Sequence, residues 1–287
     1  MQISGTTVLL GLIGTPVEHS KSPAMYNHCF SRYGLDWAYL AFDVPQERAG
    51  EAVQAIRTLH MRGANITMPC KNAVIPYLDR LTPAAQAIQA VNTIVNTDGI
   101  LVGHNTDGCG YTQNLRRNGV EVAGKKIVLL GGGGAASAIA IQAALEGAAE
   151  IRVFNRKDAF WPRVEQGLRV IAQAAPECRI TLNDLDDRET LRDAVGRCDI
   201  LSNATRVGMA PYEGQSNITD PAWFRPEMVV TDVVYAPPET KMLRDAKAAG
   251  CKTCDGLGML LCQGAEAFRL YSGLEMPVDE IRALLYA

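Results

Sequence analysis

Short apolar runs, bounded by glycine, proline and polar turns, recur along this chain with helical spacing between them. Val8–Ile13 is such a run and reads as a buried strand; Trp37–Val44 and Ala64–Met68 read as two more, the last stopped by Pro69. Between them, Ala24–Tyr33 has helical character, and Arg48–Leu59 sets Ala49, Ala52, Val53 and Ile56 at helical intervals. Thr82 followed by Pro83 predicts a helix start, since a threonine hydroxyl caps free N–H groups and proline is tolerated in the first turn. Val91–Val95 and Ile100–Val102 flank Asn96-Thr97-Asp98-Gly99, a hairpin signal. The run ending Leu129-Leu130 meets four glycines, Gly131 to Gly134, and then Ala135–Leu145, rich in helix formers. Later strands are predicted at Glu150–Phe154, Ile180–Leu182, Ile200–Ser202 and Met228–Val234, with helices at Val164–Ala174 and Glu189–Val195. Met259–Phe268 reads as an apolar helix, and Val278–Leu285, after Pro277, as a short final one.

Strands alternating with helices imply α/β layers. Three blocks emerge: residues 1–108, residues 109–257 around the glycine turn, and residues 258–287. The chain has 287 residues, 47% hydrophobic and 21% charged, a globular composition with room for two domains. A net charge of −3 without a basic tract argues against nucleic acid as a partner. No run approaches the ~20 apolar residues of a membrane span. Met1–Gly5 lacks the basic start of a secretory signal. The cysteines are scattered, as in a reduced, cytoplasmic protein. Cys251 and Cys254 have C-x-x-C spacing without the second pair of a structural zinc site, and read as two partly buried thiols. His19, His28, His60 and His104 fit no ligand spacing, so no metal is expected.

Strand, glycine turn, helix is a way to hold a dinucleotide pyrophosphate: glycines let backbone N–H groups approach, and the helix N-terminus supplies partial positive charge. The strict G-x-G-x-x-G spacing is not met; counted from Gly131, Ala136 takes the place of the third glycine. Roughly 20 residues further on, where ribose-reading residues fall in such units, stands Asn155-Arg156-Lys157-Asp158. A carboxylate there accepts ribose hydroxyls and repels a 2′-phosphate, which favours NAD; Arg156 and Lys157 would instead clamp that phosphate and admit NADP. Three further polar clusters stand out: Gly14–Pro23, Asn65–Lys71, and Val91–Thr93 with Gly103–Gly108. Taken singly, each has an ordinary alternative. Ser20 and Ser22 would cap a helix, Lys71 would be a solvated lysine, Asn92 a turn residue, and Asp107 a cap.

Together these segments resemble the shikimate dehydrogenase family, including its shikimate/quinate dehydrogenase branch. The resemblance covers essentially the whole chain. It is carried by Ser20–Ser22, N-x-T-x-P-x-K at Asn65–Lys71, V-N-T at Val91–Thr93 and G-x-N-T-D-G at Gly103–Gly108. The glycine turn, Asn155-Arg156, N-A-T-x-x-G-M at Asn203–Met209, the Asp232/Tyr235/Pro237 segment and D-G-x-x-M-L-x-x-Q-(G)-A at Asp255–Ala265 complete it.

The resemblance implies two α/β domains: an N-terminal substrate domain, residues 1–108, and a Rossmann NAD(P)-binding domain, residues 109–257. The C-terminal helices, residues 258–287, would pack back on the first. It implies interconversion of shikimate and 3-dehydroshikimate, and of quinate with its keto acid, in a cleft between the domains. Lys71 and Asp107 correspond to the catalytic pair. Ser20 and Ser22 correspond to substrate-carboxylate ligands, with Tyr39 on that side; Thr67, Asn92 and Gln263 correspond to ligands of the ring hydroxyls. Gly131, Gly132, Gly133, Gly134, Ala135, Asn155, Arg156, Asp158, Thr205, Arg206, Val233, Tyr235 and Gly256 correspond to cofactor contacts. Cys70 departs from the His or Asn common at its place. Lys157-Asp158 after N-R resembles the shikimate/quinate branch rather than the NADP-specific members, so NAD is the expected cofactor, with NADP usable. Both a monomer and a homodimer fit. A dehydrogenase for a related acid such as an aminoshikimate would share every motif. A non-catalytic homologue sensing shikimate or dinucleotide is the alternative from another class, and retention of Lys71 and Asp107 argues against it.

Overall fold

A computed structural model describes residues 3–286 of the chain. The chain divides into two compact units, Met1–Thr106 with Gln263–Ala287, and Asp107–Cys262.

In the first unit, β1 (Val8–Gly14), α1 (Ser22–Arg32), β2 (Trp37–Asp43), α2 (Ala49–Thr58), β3 (Gly63–Ile66), β4 (Arg80–Leu81), α3 (Pro83–Ile88), β5 (Thr93–Thr97) and β6 (Ile100–His104) follow in order. The strands form one mixed sheet in the order β2-β1-β3-β5-β6-β4. β1 runs parallel to β2 and β3, while β3–β5 and β5–β6 are antiparallel. The expected hairpin is there, with a turn two residues shorter than the sequence suggests. Thr97 pairs with Ile100, leaving Asp98 (φ 52°) and Gly99 (φ 89°) as the two loop residues. Positive φ at both is what a type I′ turn requires. Thr82 caps α3 as expected, accepting from the Ala85 N–H. Thr67 and Met68, predicted in a strand, lie beyond the end of β3, and Val91 and Asn92 precede β5. The two-residue β4 was not anticipated, because so short a strand has no periodicity to read.

The second unit contains α4 (Asp107–Arg117), β7 (Lys126–Leu130), α5 (Gly134–Leu145), β8 (Glu150–Asn155), α6 (Trp161–Ala174), β9 (Arg179–Asp184) and α7 (Arg188–Arg197). It continues with β10 (Ile200–Asn203), β11 (Val229–Asp232), α8 (Lys241–Ala248) and β12 (Lys252–Cys254). Its sheet is wholly parallel, in the order β12-β11-β10-β7-β8-β9. Numbered within the unit this is 6-5-4-1-2-3, the doubly wound dinucleotide order, with its switch point between β7 and β10. One core of this unit unites Val128, Leu130, Phe154, Leu191, Leu201 and Val230. Near-continuous apolar strands are what a sheet covered on both faces needs. α8 and β12 were not legible in the sequence; Cys251 and Cys254, read as two partly buried thiols, are free and buried, and Cys254 ends β12.

The chain then enters α9 (Gly256–Ser272) and α10 (Val278–Tyr286), and from Gln263 onward it belongs to the first unit. Phe268 of α9 stacks on Phe30 of α1 at a ring separation of 6.1 Å, and Tyr271 meets Tyr26 edge-on at 6.3 Å. Tyr26 also stacks on Tyr39 of β2 at 4.5 Å and donates to the Gly264 carbonyl at 3.1 Å. Glu280 of α10 pairs with His28 and Arg32. Among the described residues, no helix is long and apolar enough to cross a membrane.

Candidate functional site

In the first unit, three loops at the ends of β1, β3 and β5 are tied together by backbone bonds. The Thr15 N–H donates to Met68 O at 3.1 Å, Thr67 N–H to Ile13 O at 2.9 Å, and Val91 N–H to Lys71 O at 2.8 Å. The approach is close enough to demand glycine: a Cβ on Gly14 (φ +153°) would stand 2.8 Å from the Met68 carbonyl oxygen. This lacing ties the Lys71 backbone to Val91, next to Asn92. Lys71 is half-buried, Thr67 likewise, and Cys70 is fully buried beneath them. Ser20 and Ser22 sit at the head of α1, where the Ser20 hydroxyl accepts from the Ser22 N–H at 3.2 Å. Neither caps α1 with its side chain; the cap position is Lys21.

Asn92 is 3% exposed and forms the hub of a polar network. Its Oδ1 accepts from the Thr106 N–H at 2.8 Å and from the Thr93 hydroxyl at 3.1 Å. Its Nδ2 donates to Thr106 Oγ1 at 3.0 Å and to Gln263 Oε1 at 3.4 Å. Asn65 Nδ2 donates to Thr93 Oγ1 at 3.1 Å, and Tyr39 donates its hydroxyl to Asn65 Oδ1 at 2.8 Å. Asn92 and Gln263, 171 residues apart, thus meet. Tyr39 does not reach the surface that the sequence reading gave it. Its ring is wholly covered between Tyr26 and the sheet, and its hydroxyl is spent on Asn65, so it supports the network from beneath. Asn65, Thr93 and Thr106 stood inside the quoted motifs without a role. For Asn65 and Thr93 the signal was a polar residue at an inward, otherwise apolar strand position, which must be hydrogen-bonded; Thr106, in the loop after β6, had none.

In the second unit, the glycine turn follows β7 at the switch point. Gly131 has φ +103°, and a Cβ there would lie 2.9 Å from Ala204 O and 3.0 Å from Thr205 Cγ2. Gly131 donates to Phe154 O at 2.7 Å, and Gly132 to Asn155 Oδ1 at 3.0 Å, so Asn155 braces the turn. Around Gly133 and Gly134 a Cβ would meet open space, and Ala135 lies in the first turn of α5. Free N–H groups at an open helix N-terminus suit a pyrophosphate, so these residues fit the dinucleotide that the sequence implied.

Behind the turn, Asp232 is buried at the end of β11. It accepts from Asn203 Nδ2 at 2.9 Å, the Val234 N–H at 3.0 Å and the Thr240 hydroxyl at 2.7 Å. Burial, only partly offset by these bonds, pushes its carboxyl up to about 6. Asn203 Oδ1 in turn accepts from the Thr205 hydroxyl at 2.7 Å, and the Val233 N–H donates to Asn203 O at 3.0 Å. Gly256 packs on the Val233 carbonyl. Thr205, Val233 and Gly256 are therefore brought together. Arg206 and Tyr235 are exposed nearby along the same loops. Arg156 and Asp158 are exposed after β8, and Asp158 Oδ1 accepts from the Phe160 N–H at 2.9 Å. Asp107 is the first residue of α4, one peptide beyond Thr106.

A doubly wound sheet with its glycine turn at the switch point, carried by a chain that also builds a hydroxyl- and amide-rich cluster beside a lysine, defines a class: two-domain, dinucleotide-dependent oxidoreductases acting on an alcohol carbon. Two family models narrow this. "Shikimate dehydrogenase substrate binding domain" matches residues 12–94, and "Shikimate 5'-dehydrogenase C-terminal domain" matches residues 256–286. The "Shikimate dehydrogenase (NADP(+))" of Listeria monocytogenes serotype 4b (strain F2365) is 47% identical over 99% of this chain and 98% of its own. The chain belongs to the shikimate dehydrogenase family. A 1.45 Å crystal structure of a shikimate 5-dehydrogenase from Listeria monocytogenes, in complex with shikimate and NAD, superposes with a TM-score of 0.97. It is 46% identical and the match covers 100% of this chain and 99% of that one. A quinate dehydrogenase from Corynebacterium glutamicum, in complex with NAD, gives 0.85 at 31% identity, covering 96% and 98%.

Proposed function

We propose that this enzyme interconverts shikimate and 3-dehydroshikimate, and accepts quinate, with NAD or NADP. The observation that carries the reading is the Asn92–Thr106–Gln263 cluster laced to the Lys71 loop. It offers amide and hydroxyl groups that suit a polyhydroxylated ring, next to one cation. The nicotinamide supplies the hydride acceptor, or donor in reverse. Lys71, as an ammonium, stabilises the alkoxide that develops on the reacting oxygen and passes it a proton; Asp107 orients that ammonium and shares the proton. Ser20 and Ser22 donate to the substrate carboxylate, and Thr67, Asn92 and Gln263 bond the ring hydroxyls. Gly131 to Ala135 hold the pyrophosphate, braced by Asn155. Thr205, Arg206, Val233, Tyr235 and Gly256 line the remaining dinucleotide contacts.

The preference for NAD rests on Asp158, whose carboxylate stands exposed beside Arg156 after β8. The name of the Listeria relative, NADP(+), weighs the other way. A steady-state assay of shikimate and of quinate, each with NAD and with NADP, decides both questions. Turnover of both acids with NAD supports the full reading. Shikimate alone with NADP would leave the dehydrogenase and discard both quinate and the role of Asp158. No turnover with any pair would overturn the substrate assignment. Asp158→Ala should raise the NADP/NAD ratio of kcat/KM roughly tenfold, the weight of one charge-assisted contact; an unchanged ratio would remove Asp158 from cofactor selection.

A further inference from the structure

The doubly wound sheet has one bare patch. α7 returns from the β9 edge to β10 and lays Leu191, Ala194 and Val195 against Val128, Leu130 and Phe154. Upstream on that face, toward the N-terminal ends of the strands, the side chains turn polar. Phe154 and Arg152 share the face by strand alternation, and across the register Glu150 meets Arg179 and Arg152 meets Thr181. Parallel sheets are normally covered on both faces; here a cavity of about 400 Å³ opens instead. Val128, Ala194 and Cys198 are its apolar floor, and Lys126, Arg152, Arg179 and Arg197 are cations on its walls.

These cations are incompletely matched. Arg152 is the most enclosed, its side chain 23% exposed and its guanidinium 5.8 Å over the Phe154 ring. Its nearest carboxylate oxygen, on Asp193, is 3.6 Å away, outside hydrogen-bond reach. Asp193 gives its closer contact, 2.6 Å, to Arg197. Arg179 stands 3.7 Å from Glu150, again without a hydrogen bond. Four cations stand against Glu150, Asp193 and Asp199, whose carboxylate accepts from the Lys126 N–H at 2.8 Å, and this leaves an excess of one positive charge. An arginine carries five N–H donors in a planar fork shaped for oxyanions.

We propose that this cleft is a second binding site, for a small polyanion bearing phosphate or carboxylate groups on a compact body. Its volume lies in the small-ligand range of ~300–1,000 Å³, and its floor suits a carbon skeleton while its rim suits two or more oxyanions. The site is separate from the glycine turn. The two lie at opposite ends of five-residue β7, roughly 15 Å apart along the strand. A ligand there bonds β8, β9 and the end of α7 together and covers the bare face.

The test is isothermal titration of the full chain with inorganic pyrophosphate and with citrate, at fixed ionic strength and saturating NADP, so that the glycine turn is filled. Saturable binding of one or both probes is expected, and which of them binds tells phosphate from carboxylate chemistry. Arg152→Met should weaken it at least tenfold. So should the double variant Arg179→Gln/Arg197→Gln, whose side chains are about three-quarters exposed and whose loss spares the core. Saturable heat from neither probe overturns the proposal, and so does binding that both variants leave unchanged. Pyrophosphate binding that responds to Gly131→Ala but not to Arg152→Met would place the anion in the dinucleotide turn and overturn it as well.

Discussion

Replacing Asp232 with Asn isolates what it costs to keep a carboxylate buried behind the dinucleotide turn. The residue is 3% exposed and faces only the Asn203 amide, the Thr240 hydroxyl and the N–H groups of Val233 and Val234. With no cation among them, burial dominates, and the carboxyl rises from an ordinary 3.8 to about 6. A rise of about two units corresponds to about 3 kcal/mol between its two protonation states. The folded value lies above the unfolded one, so the folded chain holds the proton longer. The stabilisation is fully present below pH 3.8 and is lost as the pH rises through 6. Roughly 1.4 kcal/mol of it disappears between pH 5 and pH 8. Asparagine fits the same bonds: its Oδ1 accepts from Asn203 and Val234, and its Nδ2, in the place of Oδ2, donates to a Thr240 hydroxyl that turns about. Urea denaturation of wild type and Asp232→Asn at both pH values measures the difference. The variant should gain about 1.4 kcal/mol relative to wild type on going from pH 5 to pH 8. A difference that stays constant across that range would refute the argument that the buried carboxylate is ionised at a cost.

Lys71→Ala should lower turnover of shikimate by roughly 10²–10⁴-fold, while dinucleotide affinity, followed by fluorescence titration, stays near wild type; full turnover would remove Lys71 from the chemistry. Gly131→Ala places a Cβ 2.9 Å from Ala204 O at a φ of +103°, a strain of about 1–3 kcal/mol. Dinucleotide affinity should fall about tenfold or more, and unaltered binding would count against the turn as a pyrophosphate cradle. Tyr39→Phe removes the donor to Asn65 Oδ1. The KM for shikimate should rise roughly fivefold with kcat little changed; an equal fall in kcat would place the hydroxyl closer to the chemistry than its burial indicates.

Most of the local structure is legible in the order of residues along the chain. Apolar runs and turn residues marked the strands β1, β2 and β7 to β10. Thr82-Pro83 marked the start of α3, and Asp98-Gly99 the hairpin, because capping and positive φ are properties of a few neighbouring residues. The glycine turn was legible for the same reason. Its chemistry is backbone chemistry, and glycine is what permits it. Ordered motifs along the whole chain carried the resemblance to the family. Contacts between residues far apart in the chain emerge only with the fold. Nothing local announces that Gln263 meets Asn92, that Tyr39 lies beneath Asn65, or that Asp232 braces the loop beside Gly131. α8 and β12 escaped because their stability comes from packing on β11. The bare face of β8 and β9 was invisible too, because it is set by the path of α7 across the sheet and not by any residue in those strands. Local propensity chooses the element; burial against distant partners chooses which of its polar groups are spent on structure and which remain for a ligand.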